Sequence, residues 1–228
     1  MATFQKQVTY ASINEKLKRS GLILRGGFTQ KDQTTLLIGP NEPSFWDYFR
    51  NSPEYKDTLP DPMDRWSKRV IGAIASDLNS KAVYPSDGPP YAPFYTWAVL
   101  SKKAFVSPLK LLVHEDVGLM ISYRGALVLD QAIKLPVSSE KSPCEACSKP
   151  CISACPADAF SIAAYDTDAC KSFLCSNTGQ DTCIQKGCSV RLSCPLSHKN
   201  SRHADPVSYT HLRAHETSLH LVCRLLLE

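Results

Sequence analysis

Nine cysteines crowd into the 51 residues from Cys144 to Cys194, and none occurs before them. Disulfides pinning a small fold would not leave the first 143 residues without a thiol, and an odd count cannot pair fully within the stretch. Ligation of metal by thiolates is the better reading.

Spacing narrows the metal. Cys144, Cys147, Cys151 and Cys155 are separated by two, three and three residues, and Pro156 follows the last. The bacterial ferredoxin run spaces its cysteines two, two and three before Cys-Pro, and in two-cluster ferredoxins the fourth cysteine ligates the other cluster. A second group must then lie downstream. Cys170, Cys175, Cys183, Cys188 and Cys194 supply it, and Pro195 closes it. Zinc takes four ligands per site, usually from two short-spaced pairs, and gives no reason for a proline after the fourth thiolate. Two [4Fe–4S] clusters are therefore expected, with zinc or metal-free thiols as rivals. Crossing over assigns Cys144, Cys147, Cys151 and Cys194 to one cluster and Cys155, Cys170, Cys183 and Cys188 to the other. Cys175 is spare, or replaces Cys170. The extra residue between Cys147 and Cys151, where Pro150 sits, departs from the usual run.

One segment is set aside. Residues 207–228, from Val207-Ser-Tyr-Thr-His through Leu225-Leu-Leu-Glu228, resemble a translated sequencing adaptor running into its primer. His211, His215, His220 and Cys223 drop out as ligand candidates with it. It carries two arginines and two glutamates, so the net charge of +4 is unchanged by its removal. That mild basic balance gives nucleic acid only weak support as a partner, because thiolate-bound clusters are anionic and offset part of it. The start, Met1-Ala-Thr-Phe-Gln-Lys-Gln-Val8, has no secretory apolar core, and no stretch approaches the roughly 20 apolar residues of a membrane span. A soluble, cytoplasmic protein with no membrane partner is the expectation, in a compartment that suits free thiols.

Upstream of the cysteines the pattern is mixed α and β. A helix is predicted over Val8 to Ser20, with Ile13 and Leu17 at helical spacing and Gly21 beyond its end. Leu22–Phe28 and Thr34–Gly39 read as inner strands, with Gly26-Gly27 as a turn or bulge. Phe45, Trp46, Tyr48 and Phe49 form an aromatic cluster on a short helix, read as core. Asp64 to Asn79 is the clearest helix, with Trp66, Val70, Ile74 and Leu78 on its stripe and Arg65, Lys68, Arg69 and Asp77 solvated. Ala82 to Pro85 reads as a strand, the proline-rich loop Ser86–Pro93 as the cover of a site, and Phe94–Leu100 as a helix. Leu119 to Leu129 reads as one strand with Leu119, Ile121, Tyr123 and Leu127 on one face. Arg124 among apolar neighbours would need an anionic partner if buried, and His114 reads as a loop residue.

The order His114, Gly118, Tyr123-Arg124-Gly-Ala-Leu-Val-Leu129, then Cys144 to Cys155-Pro156, Tyr165-Asp-Thr-Asp-Ala-Cys170-Lys-Ser-Phe-Leu174 and Cys188 to Cys194-Pro195 resembles the epoxyqueuosine reductases. The strand segment alone also resembles cobalamin-processing proteins of the cobalamin C type. The resemblance covers roughly residues 60 to 196. It implies an α/β (α+β) protein in which a nitroreductase-like mixed-sheet domain, residues 1–137, holds cobalamin. A ferredoxin-like module with two [4Fe–4S] clusters, residues 138–205, would deliver electrons to it. It agrees with the ligand assignment above, Cys170 included. This chain departs from the family in its more widely spread closing cysteines and has only Asp64-Arg65 as an echo of the catalytic aspartate segment, so no catalytic residue is assigned.

The expected function is passage of electrons through two clusters to a cofactor or substrate held near His114, Tyr123 and Arg124. A corrinoid is the first expectation there and a flavin the second. The electron donor would be a flavodoxin, a ferredoxin or a reductase. Ile152, Ala154, Ala157, Phe160 and Ile162 are expected to keep water from the clusters. The rivals are a ferredoxin-type carrier without catalysis of its own and a zinc-stabilised binding module.

Overall fold

The structure, a computed structural model, describes residues 8–160 and 165–199. The adaptor-like segment 207–228 and Ile162 lie outside them. The chain divides into two compact units, Met1–Ala92 with Tyr123–Ser138 and Pro93–Ser122 with Ser139–Glu228. This differs from the boundary expected near residue 138, because residues 93–122 belong with the thiol-bearing stretch.

The first unit begins with α1 (Tyr10–Lys18), whose N-terminus is closed by a reciprocal cap. The Thr9 amide donates to the Ser12 hydroxyl at 3.0 Å and the Ser12 amide to the Thr9 hydroxyl at 3.2 Å. Ile13 and Leu17 are fully buried, and Gly21 takes φ +70°, the left-handed conformation that favours glycine after a helix end. Strands β1 (Leu22–Gln30) and β2 (Gln33–Pro40) follow, joined by Lys31 and Asp32. Both have positive φ, as a two-residue hairpin turn matching strand twist requires. The β1–β2 register shifts between Leu24 and Gly27, so the glycine pair is a bulge. A Cβ on Gly27 would lie 2.7 Å from Leu36 and 2.9 Å from the Thr35 carbonyl oxygen.

Next come α2 (Phe45–Arg50), α3 (Pro53–Lys56), α4 (Pro62–Asp77) and β3 (Lys81–Val83). The chain then leaves for the second unit through α5 (Phe94–Leu100), β4 (Ala104–Val106) and β5 (Leu112–His114), and returns as β6 (Gly125–Leu129). The sheet order is β1-β2-β6-β3. Every pairing in it is antiparallel, so the unit is α+β but not built on the expected mixed sheet, and β1 is an edge strand rather than an inner one. Nor is Leu119 to Leu129 one strand: only its last five residues pair, since the chain passes from one unit to the other between Ser122 and Tyr123. Phe45, Trp46, Phe49 and Trp66 form a buried aromatic core with edge and stacked contacts at 5.2–6.0 Å, whereas Tyr48 is exposed.

The buried face of α4 runs through Trp66, Ser67, Ile71, Ile74 and Ala75, turned slightly from the predicted stripe, leaving Val70 and Leu78 half-buried. Two of its arginines, expected to be merely solvated, are ion-paired. Arg65 holds Asp57 through two hydrogen bonds of 2.7 Å, and Arg69 forks onto Glu54, which is only 8 % exposed. Hydrogen bonding from Arg69 holds the Glu54 carboxyl below its ordinary value. A lowered folded-state value means that the pair stabilises the fold above the ordinary glutamate range and that this is lost as acid protonates Glu54. Arg69→Ala should therefore cost about 1–2 kcal/mol near neutral pH, limited by the arginine's own exposure. The difference from the parent protein should narrow on acidification, as urea unfolding at several pH values would measure.

In the second unit, β4 and β5 pair antiparallel, Ala104 opposite His114. A lone hairpin is marginal in water. Here Leu109, Leu111, Val113 and Leu119 bury themselves in one cluster with Cys151, Val190 and Cys194, which is the physical reason that residues 93–122 join the cysteine stretch. The rest of the unit is short turns and helices: a 3-10 turn over Pro150–Ser153, α6 (Thr167–Cys175), α7 (Asn177–Gly179), a π-helical turn over Gln180–Ile184 and α8 (Ser189–Leu192). Asp166 caps α6 by accepting the amides of Asp168 and Ala169 at 3.0 and 2.9 Å. Among the described residues no helix is long and apolar enough to cross a membrane.

Candidate metal centre

All nine thiols of the stretch are free. Their electrostatics sort eight of them into two groups. Burial pushes the Cys144 thiol up, a contact with Ser142 opposes this, and the neighbouring thiols of Cys147 and Cys194 push it further. Cys151 is likewise raised by burial, then by Cys144, Cys194 and Cys147. Cys170 is raised by burial, lowered by a hydrogen bond from Tyr165, and raised by Cys188, Cys155 and Cys183. The first group is thus Cys144, Cys147, Cys151 and Cys194, and the second is Cys155, Cys170, Cys183 and Cys188. Cys175, at the exposed end of α6, enters neither.

Short local structures aim these sulfurs. Lys149 takes φ +58°, and its amide donates to the Cys147 sulfur at 3.3 Å. Asp158 takes φ +49°, and the next amide, of Ala159, donates to the Cys155 sulfur at 3.4 Å. Cys151 sits in the 3-10 turn, Cys183 in the π-helical turn within 3.8 Å of the Ser189 hydroxyl, and Cys188 caps α8. Cys194 follows α8 and meets the turn after β5. There Gly118, at φ +57°, approaches so closely that a Cβ would lie 2.8 Å from the Cys194 sulfur. Neighbouring thiols that repel one another as anions, three of the eight buried and the rest half-buried, form a donor set that a cationic centre would neutralise. Among the described residues, no group of three or more His, Cys, Asp or Glu side chains is arranged to hold a metal ion.

The apolar shield differs from expectation. Ile152 is 42 % exposed, Ala154, Ala157 and Phe160 are half-buried, and Ala159 is fully enclosed instead. Leu109, Leu111, Val113 and Leu119, which line the first group, carry no local signal of that role, because they meet the cysteines only through the fold.

The residues expected to hold a second cofactor are divided between the units. His114 lies in the second, buried at the end of β5 rather than in a loop. Its Nδ1 accepts the Asp116 amide at 3.1 Å, and its backbone pairs both ways with Gly118 at 3.0 and 2.9 Å. Tyr123 and Arg124 lie in the first. Tyr123 is buried, which pushes its phenol well above its ordinary value. Arg124 is half-buried, which removes the need for a compensating carboxylate or phosphate that full burial would impose, and its guanidinium donates to the Tyr123 carbonyl at 3.2 Å. An open cleft of about 440 Å³ in the first unit, lined by Arg19, Tyr48, Asn51, Trp66 and Arg69 among others, includes none of these three residues. Comparison with protein-family models, with curated proteins and with solved structures found no match.

Proposed function

We propose that this chain is an iron–sulfur redox protein that passes electrons through two [4Fe–4S] clusters to a cofactor or substrate on its α+β unit. The observation that carries this reading is the sorting of the eight thiols. Each group joins residues from both halves of the cysteine stretch, the pattern that crossing over between two clusters requires.

In this reading the four thiolates of each group hold iron, and the clusters, when bound, supply one-electron transfer. The amides of Lys149 and Ala159 donate to ligand sulfurs and stabilise their negative charge. Leu109, Leu111, Val113 and Leu119 exclude water from the first group. The module is ferredoxin-like and the first unit nitroreductase-like, with a corrinoid or a flavin as the acceptor, as in epoxyqueuosine reductases. A flavodoxin, ferredoxin or reductase would supply the electrons, in the cytoplasm.

The test is anaerobic purification of the full chain, with an absorption spectrum and iron, sulfide, zinc and cobalt analysis. About eight irons and eight sulfides per chain are expected, and cobalt or a flavin band would identify the acceptor. Zinc without sulfide would sink the reading. Full clusters with no chromophore after supply of corrinoid and flavin would reduce the protein to an electron carrier.

A further inference from the structure

The open cleft of the first unit, about 440 Å³, falls in the range of small-molecule sites, which run from about 300 to 1,000 Å³. Its walls come from the end of α1, from α2 and from α4. On α4, Trp66 and Arg69 stand three residues apart and so share a face, Trp66 buried and Arg69 half open to solvent. Arg69 is held from behind. The buried Glu54 carboxylate accepts from its Nε and Nη2, which leaves Nη1 with no partner among the described residues. Arg19, just after α1, and Asp47, on α2, bring opposite charges to the same cleft, yet neither side chain has a partner among the described residues. Tyr48, next to Asp47, is 45 % exposed although its ring lies against the backbone of Gly21, where a Cβ would meet it at 2.7 Å. The ring is thus backed by the fold and still open to the cleft.

We propose that this cleft binds a free α-amino acid with an aromatic side chain, its carboxylate on Arg19 and Arg69, its ammonium on Asp47 and its ring on Tyr48. A guanidinium already gripped along one edge keeps its remaining donors aimed, so little side-chain entropy is lost when a carboxylate arrives. The two signs of charge then choose among ligands. A plain anion would meet the Asp47 carboxylate and a plain cation the two arginines, so a ligand carrying both charges fits where neither alone does. A flat ring packed on Tyr48 buries apolar surface that water otherwise covers. The proposal needs no metal and stands apart from the iron–sulfur reading.

Calorimetric titration of the full-length protein with phenylalanine should show saturable binding, with a dissociation constant in the millimolar range or tighter. Phenylpropanoate lacks the amine and phenethylamine the carboxylate, and each should bind about tenfold more weakly. Alanine, without the ring, should also bind more weakly. Arg19→Ala should weaken phenylalanine and phenylpropanoate about tenfold and leave phenethylamine no weaker, whereas Asp47→Asn should weaken phenylalanine and phenethylamine and spare phenylpropanoate. Both residues are exposed and their side chains unpaired among the described residues, so both variants should melt with the parent. Absence of phenylalanine binding would overturn the proposal, as would equal affinity for phenylpropanoate, phenethylamine or alanine. Unaltered affinity for phenylalanine in either variant would place the ligand elsewhere and overturn it as well.

Discussion

Cys151→Ser and Cys188→Ser should each leave the protein with about four of about eight irons, and the two variants should lose different spectroscopic signals. The two residues belong to separate thiol groups, so removing one sulfur opens one group and leaves the other's four ligands in place. A serine hydroxyl is a poor substitute, because its oxygen stays protonated where a thiol ionises and binds iron. Cys194→Ser should reproduce the loss seen for Cys151→Ser although 42 residues lie between them, since Cys194 acts directly on both Cys144 and Cys151. Cys175→Ser should remove no iron, because Cys175 is exposed and outside both groups. Iron and sulfide analysis of the four variants decides the matter. Loss of iron from Cys175→Ser, or loss of all iron from either Cys151→Ser or Cys188→Ser, would show that the groups are drawn wrongly.

The short spacing from Cys144 to Cys155 is a local constraint that a sequence carries, whereas the nearness of Cys194 to Cys144 and Cys151 is a product of the fold. The helix α1 and the strands β1 and β2 were legible for a related reason: Ile13 and Leu17, or the apolar run of Thr34 to Gly39, reveal a face by period alone. The stripe of α4 was less exact. Its polar Ser67 and small Ala75 are buried, and hydrophobicity does not mark either. The predicted strand from Leu119 failed because alternation reports burial and not pairing. Leu119, Ile121 and Tyr123 are all buried, yet none of the three belongs to a strand. The attachment of residues 93–122 to the cysteine stretch was invisible for a different reason. Leu109, Leu111 and Val113 carry no local mark of a tie to the cysteines, and only the fold shows that their neighbours are Cys151 and Cys194.

Gly118→Ala should remove the iron of the first thiol group and spare that of the second. The residue sits at φ +57°, where an L side chain costs about 1–2 kcal/mol. Its added methyl would meet the Cys194 sulfur at 2.8 Å, the Leu196 Cβ at 2.9 Å and the Ser197 amide nitrogen at 2.9 Å. Two of those contacts are rigid. The Ser197 amide is committed to the Cys194 carbonyl at 2.9 Å, and Leu196 lies against the buried apolar cluster, so the cheapest relief is displacement of the Cys194 segment from the turn after β5. Such overpacking costs a further 1–3 kcal/mol or so, and it falls on the ligand that closes the first group. Cys155, Cys170, Cys183 and Cys188 make no contact with the methyl's position among its nearest neighbours and should keep their iron. Gly72→Ala provides the contrast. It lies on α4 in the other unit, meets only the Tyr84 hydroxyl at 3.3 Å, and replaces a helical glycine by the best helix former. It should keep the full iron content. If Gly118→Ala also kept all its iron with both signals unchanged, the turn after β5 would not be what holds Cys194 in its group.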